Sequence, residues 1–166
     1  MALLETLEAL VKPWAVFYSD SKPAEAAVLF AHVAGTLWGG GLAIAADRNV
    51  WKLRTAAVEE RVRLLGEIDR LHVPVLIGLS LAAISGVLLT AADLKTFGTS
   101  PLWWGKMVAF ALLLANGAWL QWQERRLRAT PAVMDGKWPA LRLASAISFT
   151  LWFTVALGGV FLMTLI

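Results

Sequence analysis

Cysteine is absent from the chain, which excludes disulfides, thiolate metal sites, iron–sulfur clusters and covalently attached c-type haem. Histidine is scarce: His32 and His72 are the only two, too few for a histidine metal cluster. No Ser-His-Asp arrangement, paired-carboxylate site or phosphate-binding loop is present, so the usual hydrolytic and phosphoryl-transfer chemistries have no residues to carry them. Charged residues make up only 16%, and the +3 net charge calls for no nucleic-acid partner. What remains is apolar. At 58% hydrophobic residues, with a mean hydropathy of +0.65 and nine tryptophans, the composition is that of a membrane protein. Met1 to Leu10 holds Glu5 and Glu8 without a basic n-region, so no cleavable signal is expected there.

The chain is organised around Phe30 to Arg48, its most glycine-rich apolar run, which contains His32. From Ala24 to Ala46 it gives 23 residues whose only charge is Glu25 at the edge, enough to cross a bilayer at about 1.5 Å per residue. A histidine in such a segment is costly without a partner and marks a candidate site. Ala31, Gly35, Gly39 and Ala43 recur every fourth residue and leave one helix face nearly bare. That stripe can admit a flat ligand or let another helix come close.

The expected fold is an all-α membrane protein, a four-transmembrane-helix bundle with an N-terminal interfacial amphipathic helix. Residues 1–23 form the interfacial segment, with Leu3, Leu4, Leu7, Leu10 and Val11 set against Glu5, Glu8 and Lys12. Pro13 is expected to stop that helix, and Trp14, Phe17 and Tyr18 suit the headgroup layer. A helix packed on a neighbouring subunit is the alternative. The bundle occupies 24–166, with spans at about 24–46, 71–92, 102–122 and 143–166. Between the first two, Asp47 to Arg70 reads as a solvated helix that continues past the surface. A turn with Asp93, Gly98 and Ser100 leads to Pro101, placed to start the third span. Gln123 to Arg142 reads as a basic loop broken by Pro131, Gly136 and Pro139.

Eleven Lys and Arg residues fall in the two large loops and four on the other side, so the loops are expected in the cytoplasm and both termini outside. His32 then lies roughly 12 Å below the outer surface, and Lys106, on the third span, enters from the same side. His72 starts the second span at the opposite edge, about 15–20 Å away along the normal, too far to share one haem with His32 within a chain.

Two readings stay open for each candidate. His32 is either an axial ligand to haem b, and so the metal-binding residue, or a histidine hydrogen-bonded across helices to a Thr, Ser or carbonyl. Lys106 either snorkels to water or faces a propionate, a quinone or another acidic group. His72 is expected in ordinary contact with water or headgroups. Met107 and Met163 are second-ligand candidates whose other role is packing. Asn116 and Gln121 are expected to bridge helices.

Three motifs then come together. The first is His32 followed by Trp38, Gly39 and Gly40, with Arg48 at the helix end. The second is Glu67 to Pro74 followed by Gly86, and the third is Trp103-x-x-Lys106. Over roughly residues 28–120 this pattern resembles the copper-resistance protein D superfamily and, within it, the HemJ-type protoporphyrinogen oxidases. The framing of Arg48 by Ala-Ala-Asp and the lack of a Met-Glu-Arg-Arg run before Pro74 depart from the family pattern. The resemblance implies haem b on the helix-one histidine and an essential lysine on a later helix, roles that fall on His32 and, as the catalytic residue, Lys106. Gly35, Gly39 and Gly86 are expected to line the cofactor.

The expected function is therefore a haem b-binding redox or electron-transfer protein, with porphyrinogen oxidation the activity implied by the resemblance, in a bacterial cytoplasmic membrane. Its partners would be the lipid bilayer, a porphyrin or quinone, and a second copy or larger complex. The rivals are a haem-free accessory or assembly subunit and a copper-handling or transport protein, although no Met or His cluster is there to hold copper.

Overall fold

Short polar punctuation divides the apolar sequence into helices. The computed structural model describes residues 2–53, 56–129 and 138–165, and every regular element among them is an α-helix. These are α1 (Ala2–Asp20), α2 (Lys22–Lys52), α3 (Val58–Ala92), α4 (Leu94–Thr99), α5 (Pro101–Ala129) and α6 (Trp138–Leu165). Ser21 separates α1 from α2 in an extended conformation, and its hydroxyl accepts from the Ala24 N–H at 3.4 Å. Asp93 caps α4 through the Thr96 N–H at 3.2 Å, and Ser100 accepts from the Trp103 N–H at 3.3 Å where Pro101 opens α5. Three helices among the described residues, Lys22–Lys52, Glu59–Ala92 and Pro139–Leu165, are long and apolar enough to cross a membrane. Phe30, Leu37, Ile77, Ile84, Phe153 and Leu157 are each more than half exposed on their outer faces.

Two expectations about helix ends change. Pro13 does not stop the first helix; α1 runs through it to Asp20. A proline removes one helical hydrogen bond, and here the Trp14 indole N–H donates to the Leu88 carbonyl at 2.8 Å, tying the segment beyond it to α3. Asp47 to Arg70 is not one solvated helix either, since α2 ends at Lys52 and α3 begins at Val58. Only one side of this region is solvated, where Arg63 bridges Glu60 and Glu67. Its other side supplies Val50, Leu53, Leu64, Leu65 and Ile68 to a core completed by Leu120, Leu127, Leu141 and Ala144. Pro139 stands in the first turn of α6 rather than in a loop. Arg54, Pro131, Gly136, Lys137 and Ile166 lie outside the described residues.

The helices associate as two pairs, α2 with α3 and α5 with α6, joined mainly by α2 on α6. Bare backbone closes the first pair. A methyl group added at Gly35 would lie 2.7 Å from the Ala82 nitrogen and 2.8 Å from the Gly78 carbonyl oxygen. One at Gly78 would lie 2.5 Å from the Gly39 nitrogen. Side-chain movement cannot relieve contacts with backbone, so Gly78→Ala should lower stability by about 1–3 kcal/mol. Gly41 has nothing within 4 Å of such a methyl, so Gly41→Ala should be neutral or mildly stabilising. Thermal unfolding of the two variants in detergent checks this, and equal melting temperatures would remove the packing argument.

Candidate functional site

The close α2–α3 contact brings a backbone carbonyl to His32. His32 Nδ1 lies 2.9 Å from the Ala82 carbonyl oxygen and 3.3 Å from Ser85 Oγ. Because the carbonyl can only accept, Nδ1 carries the proton and Nε2 keeps its lone pair. Ser85 is itself buried and donates to the Leu81 carbonyl at 2.6 Å. Gly86 makes room for the ring: a methyl there would stand 3.1 Å from His32 Cε1. Of the expected glycine residues, Gly86 lies against His32, whereas Gly35 and Gly39 press on α3. Of the two uses open to the stripe, it serves helix approach.

Lys106 comes from the other helix pair. A methyl built on Gly158 would lie 3.5 Å from its Cβ and Cγ, and one on Gly159 3.5 Å from its Nζ. The side chain is half-buried against these α6 glycines and makes no ion pair among the described residues. His32, beside Gly86 of α3, and Lys106, one turn from the Trp103 that bonds Thr90 of α3, lie toward the same end of the bundle. Met163 is largely exposed and faces outward. Asn116 bridges helices as expected, its side-chain amide donating to the Ala144 carbonyl at 2.9 Å.

The opposite end holds residues that sequence reasoning missed. His72 does not simply face water: its Nε2 is 2.6 Å from Glu124 Oε2, and the Glu124 side chain is 2% exposed. His72 lies thirteen residues before Ser85 on α3, about 20 Å along the axis, so the two histidines remain separate. Nearby, Asp47 is buried, and the Ser145 hydroxyl donates to its backbone carbonyl at 3.3 Å. One oxygen of each carboxylate, Asp47 Oδ2 and Glu124 Oε1, has no partner. A signal for Glu124 was available, because Ala109, Leu113, Asn116, Leu120, Glu124 and Leu127 recur every three or four residues and all are buried.

Together these features describe an all-helical protein with three helices long and apolar enough to cross a membrane and a polar cluster at each end of the bundle. No known protein family, curated protein or solved structure matches the chain.

The His72–Glu124 pair has a direct test. Removing one partner leaves the other buried and unpaired, so His72→Ala should destabilise the protein by about 3 kcal/mol. Adding Glu124→Leu should restore part of that loss, which a double-mutant cycle of melting curves measures. Simple additivity would mean that the two groups do not interact.

Proposed function

We propose that the chain is a four-span integral protein of a bacterial cytoplasmic membrane that binds haem b through His32 and does redox or electron-transfer work. The carrying observation is His32 itself, turned by the Ala82 carbonyl so that Nε2 is left to ligate. A ring nitrogen held by a carbonyl is the usual outer support of a ligating histidine. The residues present therefore fit the group. His32 would hold the iron and Lys106 would face an acidic edge, while Gly86 clears space for the ring. When bound, haem supplies one-electron chemistry at a potential set by its ligands and surroundings. A porphyrinogen is the substrate implied by the resemblance to HemJ-type proteins.

Four spans follow if α5, 29 residues long and packed along α6, crosses with the three more apolar helices. α1 then lies at the interface, its Trp14, Phe17 and Tyr18 rings clustered. The eleven basic residues of the two large loops orient both termini outward.

A second reading, a haem-free subunit of a larger membrane complex, has its own support. His32 Nδ1 already has an interhelical partner, and the glycine stripe is spent on α3. Copper handling or transport lacks comparable support: among the described residues, no three of His, Asp or Glu group as metal ligands.

An absorption spectrum of the purified protein separates the first two readings. A Soret band with reducible α and β bands is expected, and a colourless protein that cannot be reconstituted with haem would favour the subunit. His32→Ala should lose the cofactor or shift its spectrum, while His72→Ala keeps it. Lys106→Met should retain haem with lower affinity. Loss of haem in the His72 variant alone would overturn the assignment.

Orientation has a separate test. A reporter fused after Ile166 should behave as extracytoplasmic, and activity of a cytoplasm-only reporter there would reverse the topology.

A further inference from the structure

A cavity of about 210 Å³ lies at the Asp47 end, where the two helix pairs meet. Its walls are largely aliphatic, with Leu76 and Leu79 from α3 and Leu113 and Leu114 from α5. Asp47 and His72 also line it. α3 and α5, which supply opposite walls of the cavity, belong to different helix pairs. The cavity exceeds the roughly 150 Å³ that admits a benzene ring in an apolar core.

The polar wall narrows the chemistry. Asp47 is 4% exposed, and its Oδ2 has no hydrogen-bond donor. A buried carboxylate oxygen left in this state is costly, and a ligand hydroxyl would satisfy it. His72 Nε2 is taken by Glu124, and no described residue bonds its Nδ1. An aliphatic slot with an orphan acceptor and an open imidazole nitrogen suits a ring carrying hydroxyl groups better than a plain acyl chain.

We propose that this cavity binds a quinol-type ligand, an apolar ring bearing hydroxyls, reached from the bilayer between α3 and α5. A hydroxyl donates to Asp47 Oδ2, His72 lies beside the ring, and the aliphatic wall takes the hydrocarbon. The site shares no residue with the His32 end, so it stands whether or not haem binds there.

The test uses the full chain in lipid nanodiscs, titrated calorimetrically with decylbenzoquinol. Saturable binding at one molecule per chain is expected. Gly117 lines the cavity and has nothing within 4 Å of an added methyl, so Gly117→Leu fills the space without striking backbone. That variant should abolish saturable binding. Asp47→Asn keeps the side-chain shape and should weaken binding about tenfold, the scale of one hydrogen bond. Three results would overturn the proposal. One is non-saturable uptake that is the same in Gly117→Leu. Another is equal binding of decylbenzene, which would mark a crevice for lipid chains. The third is saturable binding of tetraphenylphosphonium without the quinol, which would mark a site for lipophilic cations.

Discussion

Gly35 and Gly39 meet Gly78 and Ala82 with no side chain between them, and the hydrogen bond from His32 to Ala82 depends on that approach. Apolar side chains gain little by leaving lipid for one another, so two helices in a bilayer hold together through close van der Waals contact and polar bonds. The glycines supply the first and His32 the second. A single added methyl would push the helices apart and lengthen the bond, so packing and site geometry are one constraint. The contact also fixes the antiparallel register. With Gly39 on Gly78 and His32 on Ala82 and Ser85, Asp47 and His72 fall at the same far end and line one cavity.

The two ends of the bundle are stabilised differently. At the Asp47 end the helices extend into a conventional core of Val50, Leu53, Leu65, Ile68 and Leu141, each at most 2% exposed. Such burial is a strong driving force wherever the alternative is water. At the His32 end large apolar side chains point outward, and cohesion comes from glycine contacts and a few bonds such as the Trp103 indole on Thr90 at 3.2 Å. This division accounts for the charged stretch from Asp47 to Arg70. Arg63 and its carboxylates face out while Leu64, Leu65 and Ile68 face in, the pattern of a helix at a water-facing end.

The all-helical architecture was legible because long apolar runs between polar breaks leave few other options. His32 and its glycine neighbours stood out because an imidazole and bare positions are both unusual in such a run. Which use the stripe served was not legible, since an empty face looks the same to a haem and to a helix until the partner's own bare positions, Gly78 and Ala82, are set opposite it. Pro13 misled because a proline's local penalty can be met by distant contacts, here Trp14 on Leu88. Glu124 was hidden by its neighbours. It stands next to Arg125 and Arg126, which are exposed, and only the helical period reveals that its side chain points the other way.

That period leads to a wider point about where chemistry can occur. Within the helix pairs contact is closest, by glycine backbone in α2–α3 and by the packing of α5 on α6. The polar groups gather between the pairs: His72 of α3 with Glu124 of α5, and Asp47 of α2 with Ser145 of α6, while Ser148 lines the same cavity as Asp47. Trp152 of α6 closes on Gly40 midway, 3.0 Å from where a methyl would stand. The seam is thereby divided into two polar regions with a tight aromatic contact between them. A ligand of either region has to enter between the pairs, since nothing can part α2 from α3 without breaking the bond that orients His32.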